Sequence, residues 1–268
     1  MICKALVDNG SKVYVVSRKE EVCQRVADEL SRVGPGSAVP LPANLNSDAA
    51  CRELAAEISR REEKVDCLVN NAGITWGAPF LDFPDEAWGK VFTLNVATVF
   101  NLTRAFIPLL KRASKGNTDP SHVINIGSVA GNPTSAQVMD VAPSYAASKA
   151  AVNKVTQILA ANLVKDHINV NCIAPAVFPS KMTYKHYLKS AETTEMAISM
   201  HPVGRVGSGE DMAGMVLFLA SQASAFVTGS TLYLDGGLTA IHRKRERERC
   251  FHYARATVTV GYTNLGKP

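Results

Sequence analysis

The chain has 268 residues and a mass of 28.8 kDa, a size that α/β folds commonly reach as one domain. Apolar residues make up 46% and charged residues 20%, which excludes intrinsic disorder and collagen-like repeats. The formal net charge is +5, yet residues 241–268 hold seven Lys/Arg and two Asp/Glu, and the remaining 240 residues carry 22 of each sign. A balanced body presents no basic face for a nucleic-acid backbone, so no nucleic-acid partner is expected. No apolar run approaches the roughly 18 residues of a membrane span, and no signal peptide or presequence is visible, so no membrane association is expected. The six cysteines, at 3, 23, 51, 67, 172 and 250, are widely spaced without a CxxC. Reduced thiols and a cytoplasmic location follow as expectations. The six histidines form no HExxH and no Cys/His cluster, so no metal site is expected.

In chain order, residues 12–16 (KVYVV) read as a buried strand after the turn Asp8-Asn9-Gly10. Residues 19–33 read as a helix closed by Gly34-Pro35-Gly36, and residues 38–41 as a short strand. Residues 48–61 read as a helix with Leu54 and Ile58 on one face. Residues 65–69 (VDCLV) are a strand, 85–113 a long helical region containing Pro108, and 122–126 a strand. Residues 144–165 read as a helix, 168–173 (INVNCI) as a strand, 211–220 as a helix and 231–234 as a last strand. This alternation implies a parallel sheet with helices on both faces, a doubly wound α/β fold. Such sheets bind ligands at the carboxyl ends of their strands. After Leu238 the character changes. Residues 242–249 (HRKRERER) are almost wholly charged, and residues 254–262 (ARATVTVGY) alternate like a lone strand. The charge run reads either as a patch for an anionic partner or, more plainly, as a solvated, disordered tail. Residues 1–240 are therefore taken as one domain and 241–268 as a tail.

The residues after the strands carry the chemistry. Tyr145-Ala146-Ala147-Ser148-Lys149 places a phenol and an ammonium at i and i+4 on one helix face. A neighbouring cation favours the phenolate and tunes Tyr145 for proton exchange. Alone, this spacing equally fits a surface helix pair. Three companions strengthen it: Asn70-Asn71-Ala72-Gly73 after the 65–69 strand, Gly127-Ser128 after the 122–126 strand, and residues 174–180 (APAVFPS) after the 168–173 strand. The second strand-like run ends at Val16-Ser17-Arg18-Lys19. An arginine there accommodates the 2′-phosphate of NADP, where an acidic residue would hold the ribose of NAD. The plainer reading of Arg18 is a solvated helix start.

Taken together, these motifs resemble the short-chain dehydrogenase/reductase family over residues 1–238, with NNAG, Asn95, Gly127-Ser128, YAASK, the Pro175 segment and Asp235-Gly236-Gly237 in order. The likeness is greatest to rhamnolipid-type 3-oxoacyl-[acyl-carrier-protein] reductases, carried by residues 124–131 (INIGSVAG), 167–175 (HINVNCIAP) and 178–183 (FPSKMT). The resemblance implies a Rossmann-type fold and an NADP-dependent oxidoreductase of secondary metabolism. Its substrate would be a small carbonyl compound or alcohol. Tyr145 would be the general acid/base, Lys149 would lower its pKa and bind the nicotinamide ribose, and Ser128 would stabilise the carbonyl oxygen. Asn95 would help hold a water beside Lys149. Ser17, Arg18, Asn44, Leu45, Asn71, Ala72, Gly73, Phe178 and Ser180 would bind the cofactor. Pairing of long helices into a homodimer or homotetramer is also implied.

The chain departs from the family pattern in several places. The family opens with a strand and a glycine turn, TGxxxGxG, whereas residues 1–9 (MICKALVDN) look like the end of the helix that follows that turn. The expectation is a sheet lacking its first, central strand, with the neighbouring strands left unpaired. A truncated N-terminus would explain this. A catalytically impaired homologue that serves only in binding or assembly is the alternative function. Asn44 stands where the family has an aspartate. Ala176 replaces a glycine and is expected to be strained if its φ is positive. The segment 132–143 is longer than usual, and Trp76, Met139 and Met182 are candidates to line the pocket, although core packing suits each equally.

Overall fold

Short β-branched runs alternate with amphipathic stretches, and each stretch folds as a helix that returns the chain to start the next parallel strand. The structure, a computed structural model, describes residues 1–132 and 142–240. Its strands are β1 (Lys12–Ser17), β2 (Ser37–Pro42), β3 (Cys67–Asn70), β4 (Ser121–Ile126), β5 (Ile168–Pro175) and β6 (Thr231–Leu234). Its helices are α1 (Ile2–Asp8), α2 (Glu20–Ser31), α3 (Asp48–Arg61), α4 (Glu86–Phe92), α5 (Thr98–Ala113), α6 (Pro143–Leu163), α7 (Lys181–Tyr187), α8 (Ala191–Met200) and α9 (Gly209–Leu219). Every strand pair is parallel. The charged run and lone-strand pattern of the tail lie outside the described residues.

The expected strands and helices form, with ends moved by a few residues. The 85–113 region is not one uniform helix, because a π-helical turn, Thr93–Ala97, joins α4 to α5. The short helices α7 and α8 were not expected. Each starts with a capping box, Ser180 with Thr183 and Ser190 with Thr193, in which side chains and backbone N–H groups satisfy one another. Their apolar periodicity is too weak to announce them. Ala176 is unstrained: His167, at φ 54°, is the non-glycine residue with positive φ among those described.

The strands form two sheets, β2–β1 and β3–β4–β5–β6, with no pairing between β1 and β3. This is the Rossmann-like order with its central position open. The two sheets nevertheless share one core. On one face, Leu54 and Ile58 of α3 and Leu102, Phe106 and Leu109 of α5 pack with Leu41, Leu68, Val123 and Val170, and Tyr14 and Val16 of β1 join them. On the other face, Ile2 and Leu6 of α1 and Met212, Val216 and Leu219 of α9 pack with Cys67, Val69, Ile124 and Ile173. Successive strand residues alternate between these faces. Each fully buried Leu or Ile, such as Leu109 and Ile168, contributes about 1.5–3 kcal/mol.

The continuous helical stretch Glu86–Ala113 is long and apolar enough, by composition, to cross a bilayer. Its inward stripe is instead part of the core, and Arg104, Lys111 and Arg112 lie on its outer side. The five described cysteines are all free thiols.

His122 on β4 is buried, and burial holds its imidazole below the ordinary value of 6.5 despite the opposing pull of Asp119 and Asp66. Unfolding frees the ring to protonate at its ordinary pKa. Below about pH 6.5 the unfolded state therefore binds more protons, and stability is lost as the pH is lowered. The thermal midpoint should drop between pH 7 and 5.5, and His122→Asn should flatten that slope in a fluorescence melt.

Candidate active site

Near the carboxyl ends of β3, β4 and β5, Asn70 stands opposite Asn125 and Asn125 opposite Cys172, with β4 running one residue and β5 three residues further. Just beyond them the chain turns away three times. The exit from β3 runs through the exposed Asn71 and Ala72 to Gly73. A Cβ at Gly73 would lie 3.3 Å from Asn95 Oδ1, a tight contact, and 3.7 Å from Lys149 Nζ, so the backbone here runs close to both groups. The exit from β4 carries Ser128, whose Oγ caps the short 3₁₀ turn Val129–Gly131 by accepting from Ala130 N–H at 3.2 Å. Gly131 in that turn presses against α6: its Cβ would stand 2.6 Å from the carbonyl carbon of Lys149. The sequence reading did not single it out.

Helix α6 presents Tyr145, Ser148 and Lys149. Lys149 is buried, and its Nζ donates to Ile126 O at 2.7 Å. Burial lowers its pKa from 10.5 to about 8, against the opposing influence of Cys172. The Cys172 thiol is itself pushed up to about 11 by burial. Lys149 Nζ lies 5.6 Å from the centre of the Tyr145 ring. The phenol is half-buried and hydrogen-bonded to Ser128.

The expectation that Lys149 lowers the Tyr145 pKa is not met in this structure. Burial dominates and pushes the phenol up, with the Ser128 hydrogen bond opposing it and Tyr187 adding to it. The lysine's proton is directed at Ile126 O, and removal of water from both groups outweighs their proximity.

Asn95 sits in the π-helical turn and is buried. Its Oδ1 accepts from Ile74 N–H at 2.9 Å, and its Nδ2 donates to Ile74 O and to Ser148 Oγ, each at 2.9 Å. Ser148 in turn donates to Tyr145 O at 2.7 Å. Asn95 therefore clamps the β3 exit to the helix that carries Tyr145. Sequence reasoning missed Ser148, although it lies inside the YAASK motif. No local signal marks it, because its burial and its partner are set by the tertiary structure.

The remaining expected residues lie at strand ends, apart from this cluster. Ser17 and the exposed Arg18 follow β1, and the exposed Asn44 and buried Leu45 follow β2. Leu45 O accepts from Thr98 Oγ1 at 2.6 Å, which ties that turn to α5. Phe178 is buried after β5, and Ser180 is engaged in capping α7. Phe178 also lines a cavity of about 190 Å³ with His201, Arg205 and Asp235. Lys90 Nζ stands 5.0 Å over the Trp76 ring, and Met182 is partly exposed on α7. Met139 lies outside the described residues.

Residues 1–239 match the family model described as enoyl-(acyl carrier protein) reductase. The chain is 40% identical over 237 residues to the rhamnolipids biosynthesis 3-oxoacyl-[acyl-carrier-protein] reductase of Pseudomonas aeruginosa, a match covering 88% of this chain and 90% of that protein. It is 34% identical over 238 residues to the galactitol 2-dehydrogenase (L-tagatose-forming) of Cereibacter sphaeroides, covering 89% of each. The structure of Pseudomonas aeruginosa RhlG in an NADP active-site complex superposes with a TM-score of 0.83 at 40% identity, over 88% of this chain and 90% of that one.

The buried lysine has a thermodynamic signature. Below about pH 8 its charge is held in a dry site, and between 8 and 10.5 the unfolded state binds the extra proton, so stability rises with pH there. Lys149→Met should raise stability at pH 7 by about 1–3 kcal/mol, the desolvation relief less one unpaired carbonyl. That gain should shrink above pH 8 in urea denaturation.

Proposed function

The chain belongs to the short-chain dehydrogenase/reductase family, and from that premise we propose that it interconverts a carbonyl and a secondary alcohol with NADP, using Tyr145 as general acid/base. The observation that carries this reading is the Tyr145 phenol, hydrogen-bonded to Ser128 with the buried Lys149 ammonium 5.6 Å from its ring.

The residues fit the two ends of the cofactor. Lys149 beside the backbone approach at Gly73 suits the nicotinamide ribose, with Asn71 and Ala72 next to Gly73 in the chain and Phe178 after β5. Ser17 and the exposed Arg18, with Asn44 and Leu45 at the end of β2, suit the 2′-phosphate and adenosine. For the pyrophosphate the described residues offer Ser180 but no glycine turn between β1 and β3.

When bound, the cofactor supplies or accepts the hydride. The protein handles the proton. In reduction, the Ser128 hydroxyl donates to the substrate's carbonyl oxygen and holds it beside the phenol. The Tyr145 O–H proton passes to that oxygen, and the phenolate left behind is stabilised by the Lys149 ammonium and by Ser128. Oxidation of an alcohol runs the same transfer in reverse. Asn95 and Ser148 position the helix and the β3 exit. A 3-oxoacyl thioester is the substrate class favoured by the likeness to the Pseudomonas aeruginosa reductase.

The long helices α5 and α6, with Phe100 and Ile158 partly exposed, suit pairing into a homodimer or homotetramer. The free thiols suit a reducing compartment such as the cytoplasm. A second reading, an impaired homologue acting only in binding or assembly, is favoured by one observation, the open position between β1 and β3.

With NADPH and a 3-oxoacyl thioester, consumption of NADPH followed by absorbance tests the activity. Tyr145→Phe should lower kcat by about 10²–10⁴-fold with NADPH affinity nearly unchanged. Near-normal turnover would remove Tyr145 from the role. Arg18→Glu should weaken NADPH at least about tenfold more than NADH in parallel titrations. An equal loss of both would refute the charge argument.

A further inference from the structure

The run Ile126-Gly127-Ser128 leaves the end of β4 and serves both Lys149 and Tyr145. Ile126 O accepts from Lys149 Nζ at 2.7 Å, and Ser128 is hydrogen-bonded to the Tyr145 phenol. Gly127 between them is buried, and its N–H donates to Ile173 O of β5 at 2.7 Å. The run is thus tied to β5 on one side and to α6 on the other.

The space at Gly127 is already taken. A Cβ built there would stand 2.7 Å from Cys172 Sγ, 3.3 Å from Asn153 Oδ1 and 3.4 Å from Ile173 O. The first distance is well inside the roughly 3.5–4.0 Å at which non-bonded carbons rest. The φ of Gly127 is not positive, so contact, and not backbone conformation, excludes a side chain.

Cys172 fills this place from β5. It is fully buried, stands opposite Asn125 of β4, and packs with Val99 of α5 and Val152 of α6. Its one thiol proton has two acceptors, Asn153 Oδ1 at 3.5 Å and Ile173 O at 3.6 Å. Asn153 lies four residues after Lys149, one turn along the same face of α6. The sulfur therefore bears on β4 at Gly127 and on α6 at Asn153. It is also close enough to Lys149 for each to act on the other's charge. Burial pushes the thiol up to about 11, so it carries no thiolate at neutral pH and no nucleophilic role. What remains is its size and its place. In a close-packed interior a single buried heavy atom is a firm spacer, and its loss is felt.

We propose that Cys172 is a positioning residue: its sulfur, seated where a side chain at 127 would lie, sets the depth of the 126–128 run against α6 and keeps water from Lys149 Nζ. The seating follows from the contacts alone. Its bearing on turnover rests on the proposed function.

Exchanging bulk between the two strands tests this. Cys172→Ala opens a void beside Lys149, and Gly127→Ala forces a methyl against the sulfur. In the double variant the methyl at 127 takes the sulfur's place. NMR of lysine-labelled protein follows the Lys149 ammonium, identified as the signal missing from Lys149→Met. Its midpoint in the unaltered chain lies near pH 8. The groups facing it are Cys172 from β5, Tyr145 on α6, and the uncharged Asn95 and Ile126 O. The thiol is neutral at that pH, so its loss removes no charge and admits water, which favours the ammonium. Cys172→Ala should therefore raise the midpoint by at least about 1 pH unit. The double variant should return it to within about 0.5 of the unaltered value. An unchanged midpoint in Cys172→Ala overturns the proposal, because the sulfur then only fills space. A double variant no nearer pH 8 than Cys172→Ala overturns the shared seat. Both readings stand even where Gly127→Ala alone does not fold.

Turnover with NADPH and a 3-oxoacyl thioester supplies the second arm. Gly127→Ala should lower kcat at least about tenfold with KM little changed, and the double variant should recover it to within about threefold. Equal losses in the single and double variants overturn the positioning role. An unaltered chain that turns nothing over, with the titrations as expected, refutes the proposed function and supports the seating of Cys172.

Discussion

The side chain of Asn125 sits where the sheet and its covering helices cross. Its Oδ1 accepts from Asn70 Nδ2 at 2.8 Å, and its own Nδ2 donates to Thr156 Oγ1 at 2.9 Å. Asn70 Nδ2 also donates to Thr103 Oγ1 at 2.9 Å. This chain of buried amides and hydroxyls links α5, β3, β4 and α6 at the last residue of β3 and one residue before the end of β4. Parallel strands alone leave the height of each exit open. A hydrogen-bonded polar ladder in a dry interior, of whose side-chain atoms Asn70 Oδ1 lacks a partner among the described residues, sets it, since a slip would leave further buried groups unpaired at about 1–3 kcal/mol each. Gly73, Ser128 and the Tyr145 helix meet because their supports are tied at this level.

Above the ladder the site holds a charge where it is least comfortable. Lys149 is surrounded by Ile126, Asn95, Gly73 and Cys172, and burial brings its pKa to about 8. The same dryness pushes the Tyr145 phenol up. Two groups that favour each other's charged forms are therefore both pushed towards neutrality by burial, the phenol staying protonated and the lysine keeping its charge only below about pH 8. Under the proposed function, negative charge developing on a substrate oxygen would be stabilised by the ammonium and would draw the phenol's proton.

Much of this was legible in the chain. The helix over residues 48–61, read from Leu54 and Ile58 on one face, has the expected ends, and in the structure Ser47 caps its start. The strand 231–234 was equally plain. The YAASK spacing placed Tyr145 and Lys149 on one face, as found. Other features had no local signal. The π-helical turn that turns Asn95 inward is a backbone adjustment within a helical pattern that looks continuous. Ser148 reads as an ordinary helix serine until its burial and its Asn95 partner are known. Ser180 was read as a phosphate contact, and its hydroxyl is engaged in capping α7.

The sequence by itself determined the element types, the parallel class of the sheet, the family and which side chains are candidates for its chemistry. These follow from local periodicity, turn residues and short motifs, whose physics extends over only a few neighbours. Only the tertiary structure decided the direction of the Tyr145 pKa, the partners of Lys149 and Asn95, the absence of strain at Ala176 and the division into two sheets with facing free edges. Each of these depends on desolvation or on pairing between residues tens of positions apart, and neither is encoded in any one stretch of chain.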